Sequence, residues 1–335
     1  MRPHPVDLRS DTVTRPTAAM RRAMADAEVG DDGFGDDPTV NHLQELFAER
    51  VGQEAALFMP SGTMANQVAL RILGTPGTLV VAGRHQHVVT HEGGAFGINQ
   101  TAQLHLLDDD DGTFDPDAVA FLVEAAGHRW PAPSVVCAEN THLVSGGRPW
   151  PLERLEALVA VGVPVHLDGA RLFNASVASG IAPASYGGLT TTVTSCLSKG
   201  LGAPAGSLLA GPADLVAQAR LERKRLGGGM RQVGVLAAAG IVALETMVDR
   251  LADDHERARR LGEAVSERWP DSLRDVATNV VIFAHPDPVG LLGYLKDEGV
   301  LAVTLGPGVV RLVTHLDVDD DDVEHAVAAI RKAPE

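Results

Sequence analysis

The chain is short of cysteine, of positive charge and of long apolar runs, and each shortage removes a class of function. Two cysteines in 335 residues, Cys137 and Cys196, are too few for a disulfide framework or a Cys-rich zinc site. Against 28 Lys+Arg stand 44 Asp+Glu, a formal balance of −16. That balance argues against a surface for nucleic acid and leaves room only for a small cationic pocket. The longest apolar run, Val233 to Leu244, is broken by glycines and falls short of the ~18 residues that a membrane span needs. Met1 to Pro5 is polar and holds no apolar signal core. These shortages together predict a soluble protein of the reducing cytoplasm.

What is present is an ordinary globular composition, 45% apolar and 21% charged, in a chain long enough for one large domain and a smaller one. Short apolar runs recur at Ala55–Met59, Thr78–Ala82, Gln103–Leu107, Val135–Ala138, Val163–Leu167, Val193–Leu197 and Ser207–Ala210. Helix-length stretches such as Pro116–Ala126 and Leu152–Val161 separate several of them, and a helix follows Asp37-Pro38. Strands alternating with helices predict an α/β fold with a mostly parallel, buried central sheet flanked by helices. Two long helices flank Gly227-Gly-Gly229; beyond them a small C-terminal α+β unit is expected, so the chain divides into residues 1–248 and 249–335. The acid runs Asp108–Asp111 and Asp319–Asp322 read as solvated surface, the second offsetting the dipole of a closing helix.

The chemistry is concentrated just after the strands. Pro60-Ser-Gly-Thr-Met-Ala-Asn66 opens a helix, and Gly83-Arg-His-Gln-His87, Glu139-Asn-Thr-His142, Asp168-Gly-Ala-Arg171 and Ser198-Lys199-Gly200 each end a run. Ligands of open α/β sheets bind outside the carboxyl ends of the strands, so these groups are expected at one edge. Lys199 is one of only four lysines; set against a buried strand, it suits a carbonyl nucleophile. Asp168 ends an apolar run and needs a partner, either Arg171 in a salt bridge or the protonated ring nitrogen of a pyridine cofactor. Ser61-Gly62-Thr63 at a helix start offers amides to a phosphate, and equally reads as an N-cap. His85, His87 and His91 have a metal-like spacing without the Asp ligands usual in such loops, and His87 alternatively lies flat on a cofactor ring. His142 is placed for proton transfer, or is a satisfied strand-end histidine.

Several long motifs in order resemble those of the low-specificity L-threonine aldolases. They are Asp7-Leu-Arg-Ser-Asp-Thr-Val-Thr14, Val29-Gly-Asp-Asp32, Gly35-Asp-Asp-Pro-Thr-Val-Asn41, the 60–66 turn, His166-Leu-Asp-Gly-Ala-Arg171, Leu197-Ser-Lys-Gly-Leu-Gly-Ala203, Gly227-Gly-Gly-Met-Arg-Gln232 and Val310-Arg-Leu-Val-Thr-His-Leu-Asp317. The resemblance implies a pyridoxal-phosphate enzyme of fold type I, a homotetramer built as a dimer of dimers with its sites at the subunit interface. It further implies cleavage of L-threonine or L-allo-threonine to glycine and acetaldehyde. By motif, Lys199 would hold the cofactor covalently, Asp168 would pair with its ring nitrogen and His87 would stack on the ring. Ser61, Gly62 and Thr63 would hold its phosphate, with Arg231 of a neighbouring copy, while Arg171 lines cofactor and substrate alike. Ser10, Arg171 and Arg311 would bind the substrate carboxylate; His142 is expected to face the hydroxyl, with His87 the second candidate.

Two positions depart from the family pattern: Phe34 stands where a tyrosine is usual, and His91 where an aromatic residue is expected. They leave open the side-chain preference and the threo/allo choice, a pocket for bulky β-hydroxy amino acids included. The rival readings are a β-eliminating lyase or transaldolase with the same Lys, Asp and phosphate turn, a metal-dependent hydrolase using His85, His87 and His91, and an idle binding protein, against which the intact Lys199 argues.

Overall fold

The computed structural model describes residues 4–334; Met1 to Pro3, part of the polar start expected to lack a signal core, lie outside them. The strands are β1 (Val6–Asp7), β2 (Ala55–Met59), β3 (Leu79–Gly83), β4 (Gln103–Leu107), β5 (Pro133–Glu139), β6 (Val165–Asp168), β7 (Thr192–Cys196), β8 (Ser207–Gly211), β9 (Val280–Ala284), β10 (Val300–Leu301), β11 (Val303–Gly306) and β12 (Val309–Val313). Seven of them form one sheet in the order β2-β8-β7-β6-β5-β3-β4. From β7 to β4 every pairing is parallel, whereas β8 runs antiparallel to both its neighbours. The reversal follows from chain length: residues 197–206 between β7 and β8 are too few for the helical crossover that a parallel pair requires. Lys199 lies in that short connection.

Alternation along the strands assigns two faces. Phe58, Val81, Val136 and Ala138 enter the main core with Phe47 and Leu43 of the helix Pro38–Val51 and with the helix Gly234–Thr246. Leu57 and Met59 pack on the other face with the helices Gly62–Leu73 and Ala213–Arg225, and Val80, Ala82 and Cys137 form a neighbouring cluster there. A sheet covered on both faces explains why its strands read as nearly continuous apolar runs.

The smaller unit is the antiparallel sheet β11-β12-β9 with the helices Leu251–Arg268 and Asp320–Lys332. Its core also takes Val6 and Leu8, because β1 pairs in parallel with β10. The segment Val6–Leu8 thus packs with the small unit, whereas the sequence division placed it with the large one. Two residues of strand carry too little periodicity to announce that pairing. Asp319 caps the closing helix in a reciprocal capping box with Asp322. Among the described residues no helix is long and apolar enough to cross a membrane.

Candidate active site

The carboxyl ends of β3, β5, β6 and β7 carry His87, Glu139, Asp168 and Lys199 into one region, joined by the first turn of the helix Gly62–Leu73. Asp168 ends β6 fully buried, its Oδ2 accepting from Asn66 Nδ2 at 2.7 Å and its Oδ1 from the Ala170 amide at 3.1 Å. Among the described residues it forms no ion pair. The expected alternative, a salt bridge to Arg171, is not made. Arg171 instead grips Asp11 in a bidentate fork, Nε–Oδ2 and Nη2–Oδ1 both 2.7 Å, with both side chains buried. The Arg171 charge, reinforced by Lys199 and an Asn279 hydrogen bond, overcomes burial and drives the Asp11 carboxyl far below the usual carboxylate range.

Asn66 is the hub beneath this edge. Its Nδ2 donates to Asp168 and, at 2.9 Å, to Glu92; its Oδ1 accepts from Thr194 Oγ1 and from His166 Nε2, each at 3.2 Å. His166 is wholly buried, and desolvation pulls its pKa down to about 4, so it stands neutral. Glu92 also accepts from Gln67 Nε2 at 2.6 Å and from His87 Nδ1 at 3.0 Å. The His87 backbone N–H donates to Glu139 at 2.6 Å. Burial opposes a charged His87 ring, but Glu92, with Asp168 and Glu139, outweighs burial and the nearby Lys199 and raises its pKa. Burial, and then the Asp168 charge, push the Glu139 carboxyl up against the pull of His142.

Lys199 is half-buried; its carbonyl accepts from Thr14 Oγ1 at 3.1 Å and from the Gly202 amide at 2.9 Å, which holds its backbone, and its charge bears on Asp11 and His87. Ser61 caps the helix Gly62–Leu73 by accepting from the Met64 amide at 3.2 Å. The amides of Gly62 and Thr63 in that first turn have no intrahelical acceptor and lie at the positive end of the helix dipole. The N-cap and anion-site readings of this turn are therefore compatible. A Cβ at 62 would lie 2.7 Å from Cys196 Sγ, so any larger residue there must displace that thiol.

The remaining expected residues fall in three places. Ser10 Oγ caps a short 3₁₀ turn by accepting from the Thr12 amide, and adjoins Asp11. Arg311, on β12, donates from Nη2 to the Arg9 carbonyl at 2.8 Å, while its buried Nε has no partner. Burial, and then the like charge of Arg171, lower its pKa; an anion between the two guanidinium groups would relieve both. Arg231 lies apart, 74% exposed, with Asp31 at 3.8 Å, and Phe34 is 82% exposed on the adjoining 31–35 turn.

His142, expected to face the substrate, is fully buried, and both ring nitrogens have partners. Its Nε2 donates to Asp109 at 3.0 Å, and Nδ1 faces the Ser145 amide at 3.3 Å. Despite desolvation, Asp109 and Glu139 raise its pKa. Asp109 is thus an exception to the solvated reading of the 108–111 run. It is buried against His142 and the His85 amide, and it lies where a side chain at Gly83 would have to go.

The metal reading finds no support in the geometry. His85 turns to Asp110 on the surface, and the His91 ring stacks on His87 with centroids 5.7 Å apart. The ligand atoms that do come within 4.8 Å of one another belong to His87, Glu92 and Asp168, a set that leaves out His85 and His91, and in it Glu92 already accepts from Asn66, Gln67 and His87. Pyridoxal phosphate fits better. A buried carboxylate without a cation suits its ring nitrogen, a helix N-terminus its phosphate and a lysine its aldehyde. The sequence reading missed Asp11, Glu92 and Asn66 as site members. Asp11 and Asn66 sit inside quoted motifs, but nothing in the spacing of Glu92 marks it.

Residues 7–286 match the family model described as "Beta-eliminating lyase". The chain is 39% identical to "Probable low-specificity L-threonine aldolase 2" of Arabidopsis thaliana, covering 98% of this chain and 96% of the relative. It is 41% identical to "Low specificity L-threonine aldolase" of Escherichia coli (strain K12), covering 96% and 97%. Among solved structures, the threonine aldolase of Leishmania major superposes with a TM-score of 0.85 at 20% identity, covering 98% of this chain and 99% of that one.

Proposed function

The chain belongs to the beta-eliminating lyase family, and on that premise we propose that it is a pyridoxal-phosphate-dependent threonine aldolase of fold type I. It cleaves L-threonine, L-allo-threonine and related β-hydroxy-α-amino acids to glycine and an aldehyde. The observation that carries the reading is Asp168: a buried carboxylate with no ion-pair partner among the described residues, one strand away from Lys199. Its two N–H donors leave lone pairs for a cationic ligand group to meet, and a protonated pyridine nitrogen is one.

Lys199 would hold the cofactor through its aldehyde, the amides of Gly62 and Thr63 would hold the phosphate, and Asp168 would pair with the ring nitrogen. When bound, the cofactor supplies the electron sink for the pair left on Cα as the Cα–Cβ bond breaks. Arg311, with its free Nε, and the remaining edge of Arg171 bind the substrate carboxylate beside Ser10. We assign the hydroxyl proton to His87, whose Nε2 is unengaged among the described residues, in preference to His142, whose two nitrogens are taken. The proton passes to His87 as the aldehyde carbonyl forms, and a proton returned to Cα gives glycine. Arg231 and Phe34, both exposed, are free to meet a further copy; the assembly we propose is a dimer of dimers in which Arg231 would help to hold a partner's phosphate. Two free, buried thiols suit a reducing cytoplasm.

An absorbance spectrum with pyridoxal phosphate, then L-threonine, tests this reading. A visible band that Lys199→Ala abolishes, together with glycine and acetaldehyde as products, is expected. Ammonia and a keto acid in their place would make the enzyme a β-eliminating lyase, and no band at all would overturn the assignment.

A further inference from the structure

We propose that Glu92 is a positioning residue: it fixes His87 with Nδ1–H on its carboxylate and leaves Nε2 bare as the proton acceptor. The inference follows from donor and acceptor accounting around one buried carboxylate. The Glu92 side chain is 1% exposed and takes three N–H neighbours: Asn66 Nδ2 at 2.9 Å, Gln67 Nε2 at 2.6 Å and His87 Nδ1 at 3.0 Å. The orientation of each amide is set from its other end. Thr194 and His166 donate to Asn66 Oδ1, so the Asn66 amino group must point at Glu92 and Asp168. Asn99 Nδ2 donates to Gln67 Oε1 at 3.2 Å, which turns the Gln67 amino group to Glu92. An ionised carboxylate offers only acceptors. Nδ1 of His87 must therefore carry the hydrogen, and in the neutral ring Nε2 then carries a lone pair.

Nothing among the described residues hydrogen-bonds to that Nε2, and the side chain is 28% exposed at the site. Glu92, Asp168 and Glu139 favour a charged ring; burial and Lys199 oppose it, and His91 stacks against it. Of these groups Glu92 is the one in hydrogen-bond contact with the imidazole, so it governs both the tautomer and the basicity of His87. The catalytic part of the inference rests on the aldolase reading of the site, whereas the tautomer assignment does not.

Glu92→Gln and Glu92→Asp test it, with two readouts on the cofactor-loaded enzyme. One is the pH profile of kcat/KM for L-threonine. The other is the pH dependence of diethyl pyrocarbonate modification at His87, followed by peptide mass spectrometry, which reports the unprotonated ring nitrogen without reference to turnover. In Glu92→Gln the acid limb and the half-modification pH should fall together by about one unit. kcat/KM should drop on the order of tenfold or more, because the ring becomes a weaker and less well oriented base. Glu92→Asp keeps the charge and should stay near the parent in both pH readouts. Equal losses in the two variants with neither pH readout moved would reduce Glu92 to packing and overturn the inference. A shifted modification profile in an enzyme that does not cleave threonine would uphold the tautomer assignment and sink the aldolase reading instead.

Discussion

Replacing Asp11 by Leu should expose how strongly the N-terminal segment is tied to the large domain. Asp11 is 0% and the Arg171 side chain 7% exposed, and two parallel hydrogen bonds of 2.7 Å join them. Exposed ion pairs contribute about 0–1 kcal/mol; this pair lies in the other regime, where removing one partner strands a buried charge and costs about 3–5 kcal/mol. The second partner, Asn279 at 3.3 Å, is neutral and cannot compensate Arg171. Asp11→Leu and Arg171→Met should each cost that amount, whereas the double variant, which removes both charges, should fall short of the summed cost by about 3 kcal/mol. The assay is urea unfolding of all four proteins at one protein concentration with saturating cofactor, so that mass action is constant. Because the Asp11 pKa is depressed in the folded state, its contribution is full above the ordinary carboxylate pKa of about 3.9 and is lost as pH falls below it toward the folded value. Additive costs within about 0.5 kcal/mol would refute the buried-pair reasoning.

Two further outcomes follow from single residues. Gly62→Ala brings a methyl within 2.7 Å of Cys196 Sγ, so it should cost about 1–3 kcal/mol and weaken cofactor binding; Cys196→Ala in the same chain should restore most of both, as thermal unfolding and cofactor titration would read. His166, with its pKa at about 4, should make the fold acid-sensitive. The unfolded ring gains its proton near pH 6.5 and the folded one only near 4, so stability is full above 6.5 and falls across that window by up to about 3 kcal/mol. The slope of urea-unfolding free energy between pH 6.5 and 4.5 should flatten in His166→Gln, and an unchanged slope would remove His166 from the account.

Much of the large domain is legible in linear sequence because burial on both faces writes each strand as a run. Ala55–Met59 falls where its run predicts it, and Ser207–Ala210 within one residue. The helix Pro38–Val51 announces itself by its Asp37 cap and by apolar spacing at Val40, Leu43 and Phe47. The pairing of β1 with β10 is not legible: two residues of strand carry no periodicity, and their partner lies almost the whole chain away.

The sequence alone determined which chemistry the chain carries. A lysine, an aspartate, a phosphate-type turn and several imidazoles each follow a strand, and a parallel sheet gathers strand ends at one edge. It could not determine which charge meets which, because partners are chosen by distance in space. Asp168 and Arg171 are neighbours in sequence, yet the arginine turns to Asp11 from the N-terminal segment and the aspartate to Asn66. The sequence ranks His142 ahead of His87 as the hydroxyl-facing group, whereas packing closes both nitrogens of His142 on Asp109 and Ser145 and leaves His87 a single fixed partner in Glu92. Local pattern decides where a functional group leaves the backbone. Only the assembled interior, where every buried donor needs an acceptor, decides which way it faces.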